Sequence, residues 1–267
     1  MKQDNGKRLP RFLLEHCNSV GQVLDLPDDL MHYASRVLRL RDGEVLRVWN
    51  GHGAEFKASV HYLSKKLAQV HIGEQLITTD TELNRSVHVL QALPESDKMD
   101  WVLEKCTELG VAGFHPVQAQ RSVVKLEGER ASKRQSHWER VVLAASLQSE
   151  RVQLPKVESV KSLKTAFETI VETWPNAQVL WFTPQATNPL RQWAAEIVPN
   201  VTNAPLFICV GPEGGWSPEE TALASEMGAL PLNFSQRILR TETFAVACVA
   251  QLTALLNLEA NQSERQK

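Results

Sequence analysis

Leu206-Phe207-Ile208-Cys209-Val210-Gly211-Pro212-Glu213-Gly214-Gly215-Trp216-Ser217-Pro218-Glu219-Glu220 reads in one pass as a strand, a turn and the start of a helix. The run 206–210 is apolar and of strand length, as a strand buried on both sheet faces requires. Gly211, Gly214 and Gly215 allow close backbone approach, and Pro212 stiffens the turn. Ser217 is an N-cap, Pro218 suits the first helical position, and Glu220 completes a Ser-x-x-Glu capping box. The G-x-x-G-G spacing is not the dinucleotide fingerprint G-x-G-x-x-G, and the chain has no G-x-x-x-x-G-K-[ST]. A nicotinamide enzyme and a P-loop NTPase are thereby disfavoured.

Working outward, strand and helix patterns alternate through the second half. Val87–Leu93, Phe114–Val117, Val179–Phe182 and Leu230–Phe234 read as further strands. Lys98–Leu109, Glu129–Gln148, 190–197, 218–227 and Thr243–Leu258 read as helices. Such alternation predicts an α/β fold with a parallel sheet covered on both faces. Ligands of such sheets sit beyond the carboxyl ends of the strands, where Thr183-Pro184, Gly211–Gly215 and Leu232–Thr243 fall. A second backbone-rich segment, Ile238-Leu239-Arg240-Thr241-Glu242-Thr243, leads into the last helix. Two such loops on neighbouring strands can wrap a small adenosine-like ligand between them. The last helix is apolar around much of its circumference, which fits either a deep core position or a homodimer interface.

The first part of the chain is different. Val45–Trp49 and Ala54–Tyr62 flank Asn50-Gly51-His52-Gly53, a hairpin signal, and Leu67–Ile72 reads as another strand. Pro27–Leu38 reads as a short helix with Leu30, Ala34, Val37 and Leu38 on one stripe. A small β-barrel over 1–78 is expected, followed by a Thr-rich linker near 76–85 and a second domain over 86–267.

Composition sets bounds. The 267 residues are 43% hydrophobic with a net charge of −2. Lys and Arg outnumber Asp and Glu by 11 to 8 over residues 2–66 and by 8 to 4 over 117–156, but fall behind, 7 to 11, over 157–267. Positive charge thus gathers where phosphates could be met. Cys17, Cys106, Cys209 and Cys248 are widely separated and read as buried free thiols. The eight His residues show no metal-ligand spacing, so no metal is expected. No signal sequence is recognised and no apolar run approaches the roughly 20 residues of a membrane helix, so a cytoplasmic protein without membrane association is expected.

Gly211-Pro212-Glu213-Gly214-Gly215 with Ser217-Pro218-Glu219-Glu220, followed by Arg237-Ile238-Leu239-Arg240-Thr241-Glu242-Thr243, resembles the SPOUT methyltransferases of the RsmE type. Arg36-Val37-Leu38-Arg39-Leu40, Asp97–Trp101 through Glu108–Val111, and Arg121–Lys125 resemble the same family in the same order. The resemblance implies a C-terminal trefoil knot and a PUA-like N-terminal barrel. It implies S-adenosyl-L-methionine as cofactor, N3 of one uridine in 16S rRNA of the small ribosomal subunit as target, and a homodimer. Another RNA target such as tRNA, or a non-catalytic RNA-binding or assembly factor, are the competing readings. Three places depart from the family pattern. Ser235-Gln236 stand where Gly-Pro is usual, Phe244 stands where a small residue or proline is usual, and Glu150 replaces a glycine.

A sulfonium methyl donor is already activated, whereas uridine N3 attacks well only after losing its proton. Arg240 is therefore the candidate for stabilising the uracil anion or holding the target phosphate. Glu213 is the candidate for orienting a donor or acting as base, and Glu242 for capping the last helix or holding its loop. The cofactor set is Leu180, Thr183, Pro184, Gly211, Glu213, Gly214, Gly215, Ile238, Leu239, Arg240, Thr241 and Thr243. Arg8, Arg11, Arg36, Arg39, Arg41 and Arg121 are the candidate RNA contacts; for Arg36 and Arg39, three apart on one helical face, a solvated helix end is the alternative.

Overall fold

The computed structural model describes residues 8–77, 81–95, 97–197 and 204–264. They fall into two compact units, one running to Thr81 and including Glu150–Leu154, the other comprising Glu82–Ser149 and the chain from Pro155 onward.

The first unit is a five-stranded sheet. β1 (Arg11–Leu13), β2 (Val23–Asp25), β3 (Val45–Trp49), β4 (Glu55–Ser64) and β5 (Leu67–Gln75) pair in the order β1-β3-β4-β5-β2. The β1–β3 pair is parallel and the others antiparallel. The expected hairpin joins β3 to β4, where the Asn50 side-chain oxygen accepts from the His52 and Ala54 amides at 2.8 and 3.1 Å. Phe12, Leu46, Val48, Phe56, Val60, Val70 and Ile72 belong to one buried cluster that draws on β1, β3, β4 and β5. Among the described residues no ladder joins β1 to β2 at the two edges of this sheet.

The expected helix over 27–38 is two pieces. α1 (Asp28–His32) passes into a π-turn over Tyr33–Val37, with Leu38 N bonded to Tyr33 O at 3.0 Å. The i→i+5 bond widens the coil and turns Val37 outward. Leu30, Ala34 and Leu38 alone keep the apolar stripe, and Val37 is 60% exposed.

An ionic chain runs from the core of this unit to its surface. Arg11 Nη2 bonds Glu55 Oε2 at 3.0 Å and the Arg151 carbonyl at 2.8 Å, with its guanidinium 4.3 Å above the Trp49 ring. Arg47 links Glu55 at 3.2 Å to Glu150 at 2.6 Å, and Arg8 pairs with the same Glu150. Trp49 Nε1 donates to Val152 O at 2.7 Å. These long-range partners explain why 150–154 belongs to this unit, a placement that no local pattern in 86–267 announces.

The second unit is a sheet in the order β12-β10-β11-β6-β7-β8, all pairs parallel. Its strands are β6 (Val87–Ala92), β7 (Gly113–Gln118), β8 (Lys156–Val157), β10 (Gln178–Phe182), β11 (Leu206–Val210) and β12 (Leu230–Leu232), with the short β9 (Lys161–Ser162) also on β7. The helices are α2 (Lys98–Glu108), α3 (Gly128–Gln148), α4 (Leu163–Thr173), α5 (Leu190–Ile197), α6 (Pro218–Glu226) and α7 (Thr241–Glu264). Phe207 and Cys209 pack with Phe167 and Ile170 of α4 and Ala224 of α6. By alternation Ile208 and Val210 face the opposite side, where α7 packs against β6, β11 and α2. All four cysteines are free and buried. Among the described residues no helix is long and apolar enough to cross a membrane.

After β6 the chain moves to β7, whereas after β11 it moves to β12 on the other side of the sheet. Loops therefore diverge at the carboxyl ends of β6 and β11, the position where open parallel sheets form a crevice.

Candidate active site

The loop after β11 is set by its own residues. Gly215 has φ +68° and its amide bonds Pro212 O at 2.8 Å, closing a tight turn. Ser217 and Glu220 form the full capping box. The free Glu220 oxygen accepts from Gln120 N at 2.8 Å, so the cap also fixes the loop after β7. Gly214 is bare for the same reason: a Cβ there would lie 3.2 Å from that of Arg121, whose Nη1 donates to Gly214 O at 3.1 Å. At Gly211 a Cβ would press the Trp216 indole, which stacks on Trp181 at 4.4 Å between centroids.

Glu213 reaches toward the loop after β6. One carboxylate oxygen accepts from Lys98 Nζ at 2.7 Å and from Glu95 N at 3.1 Å. Partial burial works against its charge, but the Lys98 bond and two backbone N–H groups outweigh it and lower the Glu213 pKa. The same hydrogen bond, with Glu242 and Glu95 adding attraction, raises that of Lys98. Glu213 is thereby a charged tether. A carboxylate held ionised this way is a weak base near neutrality.

The segment 233–240 crosses above β10. Asn233 accepts from Leu190 N at 2.9 Å and donates from its backbone to Asn188 O at 2.8 Å and from its side chain to Pro184 O at 3.1 Å. Ser235 closes the next turn with its hydroxyl, which both donates to and accepts from the Arg237 backbone. Thr241 then opens α7, its hydroxyl donating to Gly211 O at 2.7 Å and accepting from Gln91 Nε2 at 2.9 Å.

Between these loops lies a cavity of about 1130 Å³. Thr183, Pro184, Gly211, Glu213, Gly214, Gly215, Ile238, Leu239, Arg240, Thr241 and Arg121 all line it. Phe244 fills its wall against Phe182 and Phe234, at 5.0 and 5.2 Å between centroids. The bulk at 244 is thus absorbed by two aromatic neighbours. Arg240 and Ile238 are exposed at the cavity, and among the described residues no carboxylate pairs with Arg240.

Two members of the expected cofactor set lie elsewhere. Leu180 is fully buried in mid-strand, between Ile208 and Leu230, and Thr243 is exposed away from the cavity on the first turn of α7. Of the expected RNA contacts, Arg11 is a core residue at 4% side-chain exposure. Arg8 is exposed but shares Glu150 with Arg47. Arg36, Arg39 and Arg41 are exposed on the first unit. Glu242 Oε2 is buried without a hydrogen bond, so it caps nothing through that atom. Gln91 and Lys98 stand outside the expected site set; a lone amide in the apolar run 87–93 is the signal that could have exposed Gln91. Among the described residues no cluster could hold a metal ion.

Residues 81–253 match the model of an RNA methyltransferase domain, and residues 26–73 that of an RNA methyltransferase PUA domain. The chain is 30% identical to ribosomal RNA small subunit methyltransferase E of Synechocystis sp., covering 85% of this chain and 71% of that protein. It is 29% identical to the Bacillus subtilis protein of that name, covering 85% and 89%. The crystal structure of ribosomal RNA small subunit methyltransferase E from Neisseria gonorrhoeae bound to S-adenosyl methionine superposes with a TM-score of 0.80 at 33% identity, covering 93% and 98%.

Proposed function

The chain belongs to the RNA methyltransferase family that includes ribosomal RNA small subunit methyltransferase E, and from that premise we propose which atoms it acts on and with which residues. It is an S-adenosylmethionine-dependent rRNA methyltransferase of the small ribosomal subunit; the accepting atom we assign is N3 of one uridine in 16S rRNA. The observation that carries the reading is the pair of backbone loops, 211–215 and 238–241, locked together around one cavity by Thr241.

The residues present fit the cofactor. The cavity offers main-chain donors and acceptors for a nucleoside, an aromatic wall from Phe182 and Phe244, and room for a second planar group. S-adenosylmethionine, when bound, supplies a methyl group already activated on a sulfonium. The loops 211–215 and 238–241, with Thr183 and Pro184, hold and orient it. Arg240 stabilises the uracil anion formed when N3 loses its proton, lowering the cost of making the nucleophile. Glu213 fixes the geometry of its loop through Lys98. Arg121, at the cavity rim, and Arg36, Arg39 and Arg41 on the first unit meet RNA phosphates.

Three further properties belong to this reading. Asn233 is gripped by the 184–190 loop before the chain returns across β10 to Thr241, which supports a trefoil knot. Val246 and Ala247 of α7 are only half-buried, which supports a homodimer that covers them. The site of action is the cytoplasm, where ribosomal subunits are assembled.

The test is calorimetry with S-adenosylmethionine, followed by methyl transfer from labelled cofactor to purified small subunits, 16S rRNA and tRNA. Nucleoside mass spectrometry should show 3-methyluridine in 16S rRNA. Preferential labelling of tRNA replaces the target, and cofactor binding without any transfer reduces the protein to an assembly factor.

A further inference from the structure

We propose that Tyr33, Arg36, Arg39 and Arg41 form a clamp for unpaired RNA, in which one base stacks on the Tyr33 ring and the guanidinium groups meet the flanking phosphates. The proposal rests on the reading of this chain as an rRNA enzyme and adds the strand state of the RNA that its first unit takes.

Tyr33 is 45% exposed although its ring is held 6.1 Å from that of buried Phe12. It starts the π-turn, and Arg36 lies three residues on along that turn. Val37, 60% exposed, ends the same turn. An exposed ring anchored on its inner side is a rigid stacking platform, and every base offers it a π-face. Paired bases are already stacked within their helix and offer no such face.

Arg39 is the sharper observation. The turn ends at Leu38, and Arg39 takes φ +55° in the next position, where Leu40 N turns back to Ala34 O at 2.9 Å. That left-handed position after a helix end is ordinarily glycine, because a Cβ there is strained. The chain nonetheless carries arginine there, with its side chain exposed. Among the described residues no carboxylate pairs with Arg36, Arg39 or Arg41. Of the acids that follow Arg41, Glu44 accepts from the Arg41 amide at 3.0 Å and Asp42 from the Tyr62 amide at 2.8 Å. Three exposed cations, three, six and eight positions after an exposed ring, complement a polyanion carrying accessible bases.

The experiment is fluorescence anisotropy of the full chain with a labelled oligouridylate and with an RNA duplex of equal length, over a salt series. Tyr33→Ala should weaken oligouridylate binding by at least about five-fold without changing the salt slope, and Tyr33→Phe should restore it. Arg39→Gly should lower the slope of log affinity against log salt by about 0.7 while its urea midpoint does not fall. Tyr33→Ala within two-fold of the parent, a parent that prefers duplex, or an Arg39→Gly variant with unchanged slope each overturns the clamp. Cofactor affinity of the parent protein, measured alongside, reports separately on the methyltransferase reading.

Discussion

The Thr241 hydroxyl donates to the carbonyl of Gly211 at 2.7 Å, across 30 positions of sequence, and so ties the turn after β11 to the first residue of α7. Because Gln91 Nε2 donates to the Thr241 hydroxyl oxygen, the tie reaches β6 as well. One side chain thus fixes the separation of the two loops that flank the cavity.

Thr241→Val keeps the shape and leaves Gly211 O and Gln91 Nε2 without this partner. Losing hydrogen bonds at a buried position costs about 1–3 kcal/mol, so a clear drop in the urea midpoint is expected. Cofactor affinity should fall about ten-fold by calorimetry, and Thr241→Ser should recover most of both losses. Parent-like affinity in the valine variant would remove the tie from the binding site.

Arg240→Ala is expected to lower methyl transfer to small subunits by about 100-fold or more, the scale seen when a charge-stabilising donor is lost from a reacting centre. Cofactor affinity should change far less, since the proposed function gives that binding to the main chain. Single-turnover transfer at saturating cofactor separates the two. Near-normal turnover would take Arg240 out of the reaction.

Glu213→Gln and Lys98→Met remove the charge from the tether that joins 211–215 to the loop after β6. Both should raise the KM for cofactor while leaving kcat within about three-fold, because in the proposed function neither meets the accepting nucleotide. A base role for Glu213 predicts the opposite split, with kcat lost and the acidic limb of the pH–rate profile gone.

Glu150 has φ +59° just past the end of α3, a position suited to glycine, and its carboxylate bridges Arg47 and Arg8. Glu150→Ala keeps the strained Cβ and loses the bridge. Glu150→Gly loses the bridge but relieves the strain. The glycine variant should therefore be the more stable of the two by about 1 kcal/mol in urea titrations. Equal stabilities would mean that the backbone at 150 stores no strain.

Acid sensitivity is built into the second unit. His88 and His115 are buried, with His88 Nδ1 and His115 Nε2 3.2 Å apart beside Trp174 and Phe207. Burial pushes His88 down to about 4; burial, with His88 and two lysines adding, pushes His115 down to about 3. Between those values and 6.5 the unfolded chain binds protons that the folded one does not, so stability rises with pH there. Above pH 6.5 the contribution is fully present, and it is lost as pH falls through about 4. The loss should amount to a few kcal/mol, because each ten-fold weakening of proton binding by the folded chain is worth about 1.4 kcal/mol. Urea midpoints measured from pH 7.5 to 4 should fall more steeply for the parent than for a His88→Gln/His115→Gln variant.

What the sequence determined by itself is local or periodic. The apolar run 206–210, the glycine turn and the Ser217–Glu220 capping box specify one another within a few residues, and all three form as read. The same holds for the alternation that makes a parallel sheet, and for the β3–β4 hairpin. α4 is absent from the helices read in the sequence, although Leu163, Ala166, Phe167 and Ile170 make an apolar stripe at helical spacing.

The tertiary structure alone decided what distant residues do to one another. Arg11 reads as a candidate RNA contact, but Glu55 and the Arg151 carbonyl, 44 and 140 positions away, draw it into the core. Leu180 lies two positions from cavity-lining Phe182 on the same strand, but Ile208 and Leu230 on the two neighbouring strands flank it and it is fully buried. Gly214 reads as a point of close backbone approach, and it is Arg121, 93 positions away, that a Cβ there would crowd. In each case a side chain's environment is supplied by segments that come near only when the chain has folded, and no pattern within a turn or a strand encodes which segments those are.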